Sequence, residues 1–276
     1  MSTTNPRARQ AHSPVAAHDL YVYAITTAAA AGAELGPGID ARPVHVLTGP
    51  GDLAAVVHDH DGQPYQGADD DVRRWVLEHS DVVDRTAAAT DAVLPVSFNV
   101  IVANQERDPA AVRLQRWLEE NAATLGERLR QLHQRVELRL EIALESAVVA
   151  RDHPEAKTMR AEAQGRPAGV QRLLSKRLEQ RERQWAEQLA DRLYPEYRRR
   201  LAALAEDLVE NRSSRPGPGQ VPVLSFAVLV PGDRTEAVGR ELARIQAEEP
   251  AARIRFLGPW PPYSFADLPE VTPTEG

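Results

Sequence analysis

Four consecutive polar residues, His58-Asp59-His60-Asp61, offer the most obvious chemistry in this sequence. They follow the apolar run Leu53–Val57, which predicts a strand. Two imidazoles at i and i+2 of a strand share a face, where together with a carboxylate they can bind zinc or nickel. Polar residues where a strand enters a turn explain the pattern as well. We therefore predict no metal site, and keep a metal-assisted hydrolase using His58 and His60 as the alternative hypothesis.

Other motifs for catalysis or cofactor binding are missing from the sequence. Asp69-Asp70-Asp71 has the composition of a magnesium site, but acids at the start of a helix are explained by the helix dipole. There is no Gly-x-Ser-x-Gly elbow, no Ser-x-x-Lys, no phosphate-binding loop and no Gly-x-Gly-x-x-Gly after a strand. We expect no catalytic residue and no cofactor.

The region from Arg166 to Arg200 is locally basic and densest at Arg198-Arg199-Arg200. Acidic residues interrupt it at spacings that suit i, i+4 ion pairs on a helix surface, so a solvated face is the favoured interpretation. A charged docking face for an acidic protein partner, formed by Arg198, Arg199 and Arg200, is the second interpretation. Nucleic-acid binding is disfavoured, since it needs a basic stripe with few acids.

The segment Gly258-Pro259-Trp260-Pro261-Pro262-Tyr263-Ser264-Phe265 concentrates three large rings in a chain with only 5% aromatic residues. Its prolines cannot donate backbone hydrogen bonds, which predicts a rigid extended run that is neither helix nor central strand. Trp260, Pro261, Pro262, Tyr263 and Phe265 either plug a sheet edge or a cleft, or contact a partner. Both interpretations remain open at this point.

Composition narrows the class of protein further. The 276 residues contain no cysteine, which excludes disulfides, zinc–thiolate sites, iron–sulfur clusters and thiol catalysis. A net charge of −7 argues against nucleic acid and anionic membranes as partners. The first 18 or so residues lack the apolar run of a signal peptide, and no later segment has the length of a membrane span. We expect a cytoplasmic protein.

Alternating and helical patterns predict two α+β domains. Each is expected to be a small mixed or antiparallel sheet with helices on one face, a variant of the ferredoxin-like arrangement, and the second is richer in helix. We expect a disordered tail over residues 1–18, domains over residues 19–133 and 134–265, and a flexible tail over residues 266–276. A flexible loop is predicted at Ser213–Gly219.

The predicted strands and helices can be given in two sets. The strands are Leu20–Ile25, Val44–Leu47, Leu53–Val57, Leu94–Val102, Val136–Leu144, Val223–Val230 and Arg253–Leu257. The helices begin near Asp69, Asp108, Gly169 and Asp233, with a break or kink at Pro195 and a second stripe of Tyr197, Leu201, Leu204 and Leu208.

Three of these segments together resemble the gas vesicle protein L/F family. They are Tyr21-Val22-Tyr23-Ala24-Ile25, Leu94-Pro95-Val96-Ser97-Phe98, and the closing run Gly258–Phe265. The middle segment departs from the family's usual Leu-Pro-Met-Arg-Phe-Gly-Thr at Ser97, Asn99 and Val100. The segments lie between residues 20 and 265, so the resemblance covers nearly the whole chain.

The resemblance implies a minor structural or assembly protein of gas vesicles, the gas-filled protein shells that give cells buoyancy. It further implies a non-enzymatic, chaperone-like protein with two α+β domains. The implied partners are the small hydrophobic shell subunit and other gas vesicle accessory proteins, during nucleation or at the shell's inner face.

Overall fold

The computed structural model describes residues 18–211 and 216–269, and the chain divides into two compact units between Gln131 and Leu132. Residues 1–17 of the expected N-terminal tail, residues 212–215, which include the first three residues of the expected loop, and residues 270–276 lie outside the described residues. Ala266, the first residue of the expected C-terminal tail, is buried.

The first unit is an antiparallel sheet with helices. Its described elements are β1 (Asp19–Thr27), β2 (Val44–Thr48), β3 (Leu53–His60), α1 (Asp69–Thr90), β4 (Val93–Pro95), β5 (Ile101–Val102), α2 (Ala110–Glu120) and α3 (Ala122–Leu132). The strand order is β2-β3-β1-β4, and β5 also pairs with β1. Two short 3-10 turns, Ala28–Gly32 and Ile39–Ala41, connect β1 to β2. They stand where a ferredoxin-like fold has its first helix.

The second unit has the full ferredoxin-like element order. Its described elements are β6 (Arg135–Glu145), α4 (Ser146–Val149), α5 (Pro154–Ala163), α6 (Ala168–Ala202), β7 (Asp207–Glu210), β8 (Gln220–Pro231), α7 (Thr235–Glu248) and β9 (Ala252–Trp260). The sheet order is β7-β8-β6-β9, with every pair antiparallel. The predicted α+β class with two such sheets is confirmed.

The period-2 pattern of β6 explains how the second unit is layered. Leu138, Leu140, Ile142 and Leu144 are buried in one core with residues of α6, α7 and β8. The alternate charged side chains lie on the opposite face, where Glu141 pairs with Arg255 of β9 at 3.3 Å. The predicted placement of helices on one face therefore holds in this unit.

The first strand carries a bulge next to two tyrosines. The pairing of β1 with β3 shifts register between Val22 and Ala24, so Tyr23 is the extra residue, and the sequence pattern does not predict this irregularity. Tyr21 and Tyr23 are two positions apart on the strand, and their ring centroids lie 5.0 Å apart in one aromatic cluster.

Two of the predicted elements are wrong. Leu94–Val102 is not one strand, because Asn99 takes a φ of 70° and separates β4 from β5. Leu208 does not continue a helical stripe: α6 ends at Ala202 and Leu208 lies in β7 opposite Val228. The helical spacing of Leu208 is overridden by the pairing of β7 with β8, because the backbone N–H and C=O groups of β7 form hydrogen bonds with the edge of the sheet.

Two boundaries also differ from the sequence patterns. Pro195 does not end the helix, as α6 continues through it to Ala202. Both Pro195 and Asp191 are exposed, so water can satisfy the carbonyl that the proline leaves unpaired. Strand β9 extends past Leu257 to Trp260, which pairs with Glu137.

Gly258 is required by this extended pairing. Its φ is +111°, and a Cβ there would lie 2.7 Å from the backbone oxygen of Glu137. We predict that Gly258→Ala lowers the free energy of unfolding by roughly 1–3 kcal/mol from backbone strain, and by more from the steric clash. Urea unfolding followed by tryptophan fluorescence measures the change.

Gly126→Ala is the matched control. Gly126 lies inside α3, and a Cβ added there would meet open space. We expect a stabilisation of about 0.5–1 kcal/mol at this position, because alanine is the better helix former. Equal effects of the two substitutions would contradict the predicted role of Gly258.

Candidate functional site

His58 and His60 share a face of β3 as their spacing predicts, but that face is buried. Their side chains are 0% and 2% exposed, whereas Asp59 and Asp61 are exposed. His58 Nδ1 accepts a hydrogen bond from the Tyr23 hydroxyl at 2.7 Å, and His58 Nε2 donates to the Tyr65 hydroxyl at 3.4 Å. Burial, together with smaller effects of the nearby His60 and Arg42, lowers the pKa of His58 to about 3. His58 is therefore neutral.

His79 of α1 makes the equivalent bond to the other tyrosine of β1. The Tyr21 hydroxyl donates to His79 Nδ1 at 2.9 Å, and His79 Nε2 donates to the Val96 carbonyl at 3.0 Å. Burial lowers the pKa of His79 to about 4. The Tyr21 ring also stacks on His58, with centroids 4.9 Å apart and planes inclined by 2°.

These residues belong to one group of hydrogen-bonded and stacked rings, called here the Tyr–His cluster. Its members are Tyr21, Tyr23, His58, His60, Tyr65 and His79. Backbone N–H groups donate into it, from Ile39 to the Tyr23 hydroxyl at 2.8 Å and from Asn99 to the Tyr21 hydroxyl at 3.1 Å. The cluster therefore connects β1, β3 and α1 with the loops around them.

Asn99 takes the left-handed backbone conformation at a position where the L/F family usually has glycine. Its φ is 70°, and its side chain accepts from Tyr65 N–H at 2.9 Å and donates to Tyr65 O at 3.1 Å. Asparagine is the non-glycine residue that tolerates this conformation best. The turn is thus preserved without glycine and is tied to the Tyr–His cluster.

The geometry gives no support to a metal-assisted hydrolase. Across residues 18–211 and 216–269, no group of three or more His, Cys, Asp or Glu side chains is placed to hold a metal ion. Both nitrogens of His58 face tyrosine hydroxyls, and His60 Nε2 donates to the Gln63 carbonyl at 2.6 Å. Asp69, Asp70 and Asp71 form the exposed first turn of α1, as their helix-start interpretation predicts.

The closing aromatic segment is anchored by a buried carboxylate. Glu137 of β6 is 1% exposed. One of its oxygens accepts the Ser264 backbone N–H at 2.7 Å, and the other accepts the Ser264 hydroxyl at 2.9 Å. Arg139 Nε donates to the same carboxylate at 3.3 Å. Charge-assisted bonds of this kind are stronger than neutral ones, so the segment is held at a defined point of the sheet.

The rings and prolines of this segment differ in exposure. Pro261, Pro262 and Phe265 are buried, and Phe265 is 2% exposed. Trp260 and Tyr263 are half-buried, and the Arg139 guanidinium lies 5.7 Å from the Trp260 ring centroid. One of the three rings is therefore buried within the chain, and the other two are partly accessible.

The three arginines at the end of α6 do not behave as one face. Arg198 and Arg199 are exposed, and Arg198 lies 3.8 Å from Glu210. Arg200 is only 14% exposed and bridges to α7, with 2.6 Å to Glu241 and a closer contact to Glu248. These carboxylates raise the pKa of Arg200 above its usual range. Arg200 is thus a structural bridge between two helices.

Helix α6 has an exposed apolar surface that the sequence pattern does not reveal. The α6 arm is defined here as residues 168–181, where Val170 is 43% and Leu173 is 69% exposed. It also carries exposed basic side chains at Arg172, Lys176 and Arg177. Leu174 and Leu178 of the same arm are half-buried. Only the tertiary structure shows that Val170 and Leu173 stay exposed beside them.

None of the helices in the described part of the chain combines the length and the apolar character that crossing a membrane requires.

Comparisons with known proteins agree on one family. Residues 19–267 match the model of the family described as gas vesicle synthesis protein GvpL/GvpF. The chain is 28% identical over 258 residues to gas vesicle protein L1 of Halobacterium salinarum, covering 90% of this chain and 89% of that protein. It is 31% identical over 257 residues to gas vesicle protein L of a Streptomyces species, covering 91% and 93%.

Two solved structures share the fold. The crystal structure of GvpF from Microcystis aeruginosa aligns with a TM-score of 0.61 and 19% identity, covering 91% of this chain and 99% of that one. GvpF from Anabaena aligns with a TM-score of 0.63 and 19% identity, covering 92% and 98%.

The Tyr–His cluster predicts a pH-dependent stability. Burial lowers the pKa values of His58 and His79 from 6.5 to about 3 and about 4 in the folded protein, so below pH 6.5 the unfolded chain binds more protons. The free energy of unfolding should fall as pH decreases from 6.5, by about 1.4 kcal/mol per pH unit for each histidine. Urea unfolding between pH 7.5 and 5 measures this slope.

Two variants test whether the Tyr–His cluster causes this dependence of the free energy of unfolding on pH. His79→Gln should reduce it by about one proton's contribution, whereas His133→Gln, at an exposed position outside the cluster, should leave it unchanged. An identical slope in the wild type and both variants would rule out this origin.

The neighbouring residues Arg200 and Arg199 should contribute differently to stability. Arg200→Ala should lower the free energy of unfolding by about 1–2 kcal/mol, because the largely buried Glu241 carboxylate loses its 2.6 Å contact and keeps only Arg244 as a partner among the described residues. Arg199→Ala should change it by less than about 0.5 kcal/mol, as expected for an exposed side chain. Thermal unfolding in the same buffer measures both, and a larger effect at Arg199 would contradict the assigned roles.

Proposed function

The chain belongs to the gas vesicle synthesis protein GvpL/GvpF family, and from this premise we propose that it binds the hydrophobic shell subunit during gas vesicle nucleation and assembly. Other gas vesicle accessory proteins are the further partners in this proposal. The protein acts in the cytoplasm, either as a minor structural component or as an assembly factor. The relatives named gas vesicle protein L, matched over about nine-tenths of both chains, support this role.

The α6 arm is the surface that we propose for this binding. Val170 and Leu173 are large apolar side chains left in water on a helix that is exposed over most of its circumference. Clustered apolar exposure of this kind marks protein interfaces, since burying it on binding is favourable. Arg172, Lys176 and Arg177 surround it with positive charge, which favours a partner with acidic groups beside an apolar face.

The proposed role is binding, without catalysis. His58 and His60, the best candidates for chemistry, are buried and engaged by hydrogen bonds inside the first unit. A substrate would have to displace the core to reach them. Their location therefore supports a structural role for the Tyr–His cluster.

For the closing segment we propose the structural plug. Phe265 is buried, and Ser264 makes two hydrogen bonds to the buried Glu137. These contacts support a segment that covers the end of the β6–β9 pair in its own unit. Trp260, which is half-buried beneath Arg139, is its most accessible ring.

The surface on the α6 arm can be tested by co-expression with the shell subunit and affinity capture. We expect the wild type to retain the shell subunit, and Leu173→Glu and Val170→Glu to retain at least about tenfold less, because a buried unpaired carboxylate opposes apolar contact. Quantitative immunoblotting measures the captured subunit.

Leu77→Glu is the matched control, since Leu77 is an exposed apolar residue of α1 with 60% exposure. It should retain wild-type capture. Capture that is absent in the wild type, with normal vesicles in cells lacking the gene, would overturn the proposed function. Equal losses at Leu77 and Leu173 would contradict only the assignment to the α6 arm.

A further inference from the structure

Strand β9 lies at the edge of the second sheet and is unusually open. It pairs on one side with β6, and the sheet order places no other described strand beside it. Residues 253–259 are exposed, apart from a half-buried Ile254. Backbone N–H and C=O groups along an open edge can pair with another extended chain.

Two prolines bound the open edge. Pro250 precedes β9, and Pro259 lies near its end. Neither can donate to an added strand, so pairing is confined to the residues between them. The window from Ala252 to Gly258 spans about 23 Å at the rise of a strand, which matches a short extended peptide.

One face of this edge is apolar. The exposed Phe256 ring lies against α7, where a Cβ on Gly239 would be 3.7 Å from it. Phe256, Gly239 and Ala243 line a groove between α7 and β9, with Thr235 at one end. An added strand would place every second side chain over this groove.

The opposite face of the edge carries two arginines, Arg253 and Arg255, with side-chain exposures of 43% and 67%. Arg253 contacts Glu145 of β6 and also donates to the carbonyls of Pro250 and Ala252, so its guanidinium is largely engaged. Arg255 donates to Glu141 at 3.3 Å, which leaves other guanidinium donors for a second acceptor. A second copy of β9 would bring its own arginines against these, and like charges in facing strands repel. Carboxylates on the added strand would be complementary.

We propose that β9 is a strand-addition site for an extended segment of a protein partner in which apolar and acidic residues alternate. The apolar side chains of that segment cover Phe256 in the groove with α7, and an acidic side chain pairs with Arg255. Main-chain hydrogen bonds supply affinity, and the alternation sets the register. This site is separate from the α6 arm and does not depend on the shell subunit being the partner there.

The test uses the full chain and three synthetic probes. The first is fluorescein-labelled Thr-Val-Glu-Val-Glu-Val-Thr, the second has lysine in place of each glutamate, and the third is the first with backbone N-methylation at alternate residues. Fluorescence anisotropy should show binding of the acidic peptide, with at least tenfold weaker binding of the other two. Hydrogen exchange should show new protection within residues 253–258.

Protein variants locate the site. Phe256→Glu and Arg255→Gln, both at exposed positions, should weaken binding of the acidic peptide at least fivefold. Val209→Glu is the matched control on β7, the opposite edge strand, where Val209 is 38% exposed, and it should bind as the wild type does. Circular dichroism establishes that each variant is folded.

Three results would overturn the proposal. They are equal binding of the acidic and lysine peptides, no binding of the acidic peptide at millimolar concentration, and equal loss in Val209→Glu. Sedimentation that shows a dimer abolished by Phe256→Glu would assign the edge to a second copy instead. None of these results bears on capture of the shell subunit by the α6 arm.

Discussion

The hydrogen bonds of one buried carboxylate, Glu137, are the interaction on which the second unit most depends. Glu137 lies on the central strand β6, opposite Trp260 of β9, and accepts both hydrogen bonds of Ser264. An unpaired charge buried to this extent would destabilise the fold by several kcal/mol, so Arg139 and Ser264 are needed as its partners. The last strand and the closing segment are thereby held to the centre of the sheet.

The first unit also pairs its buried polar groups with hydrogen bonds, but without a charged side chain. Its polar core groups are neutral imidazoles paired with tyrosine hydroxyls, and burial lowers the pKa values of His58 and His79 to about 3 and 4. Each hydroxyl both donates and accepts, so the hydrogen bonds continue from ring to backbone without an ion. The two units therefore use different chemistry to fix a strand that carries polar groups into the core.

The two binding sites that we propose lie on exposed surfaces of the second unit. The α6 arm presents apolar and basic side chains on a helix, whereas β9 presents an open backbone edge with an apolar face and a face that carries two arginines. Helix-in-groove and strand-addition contacts recognise different partner shapes. The two proposed sites would therefore take partners of different shape.

The sequence by itself determined the α+β class, most of the strands and helices, and the family, because side-chain periodicity and short motifs are local properties of a chain. It placed His58 and His60 on one face of a strand but could not show that this face is the core. Tyr21 and His79 are 58 positions apart, and Glu137 and Ser264 are 127 apart. Which polar groups meet, and whether Val170 or Phe256 remains uncovered, depends on strand order, bulges and packing. Only the tertiary structure decides these, since they result from contacts between distant segments.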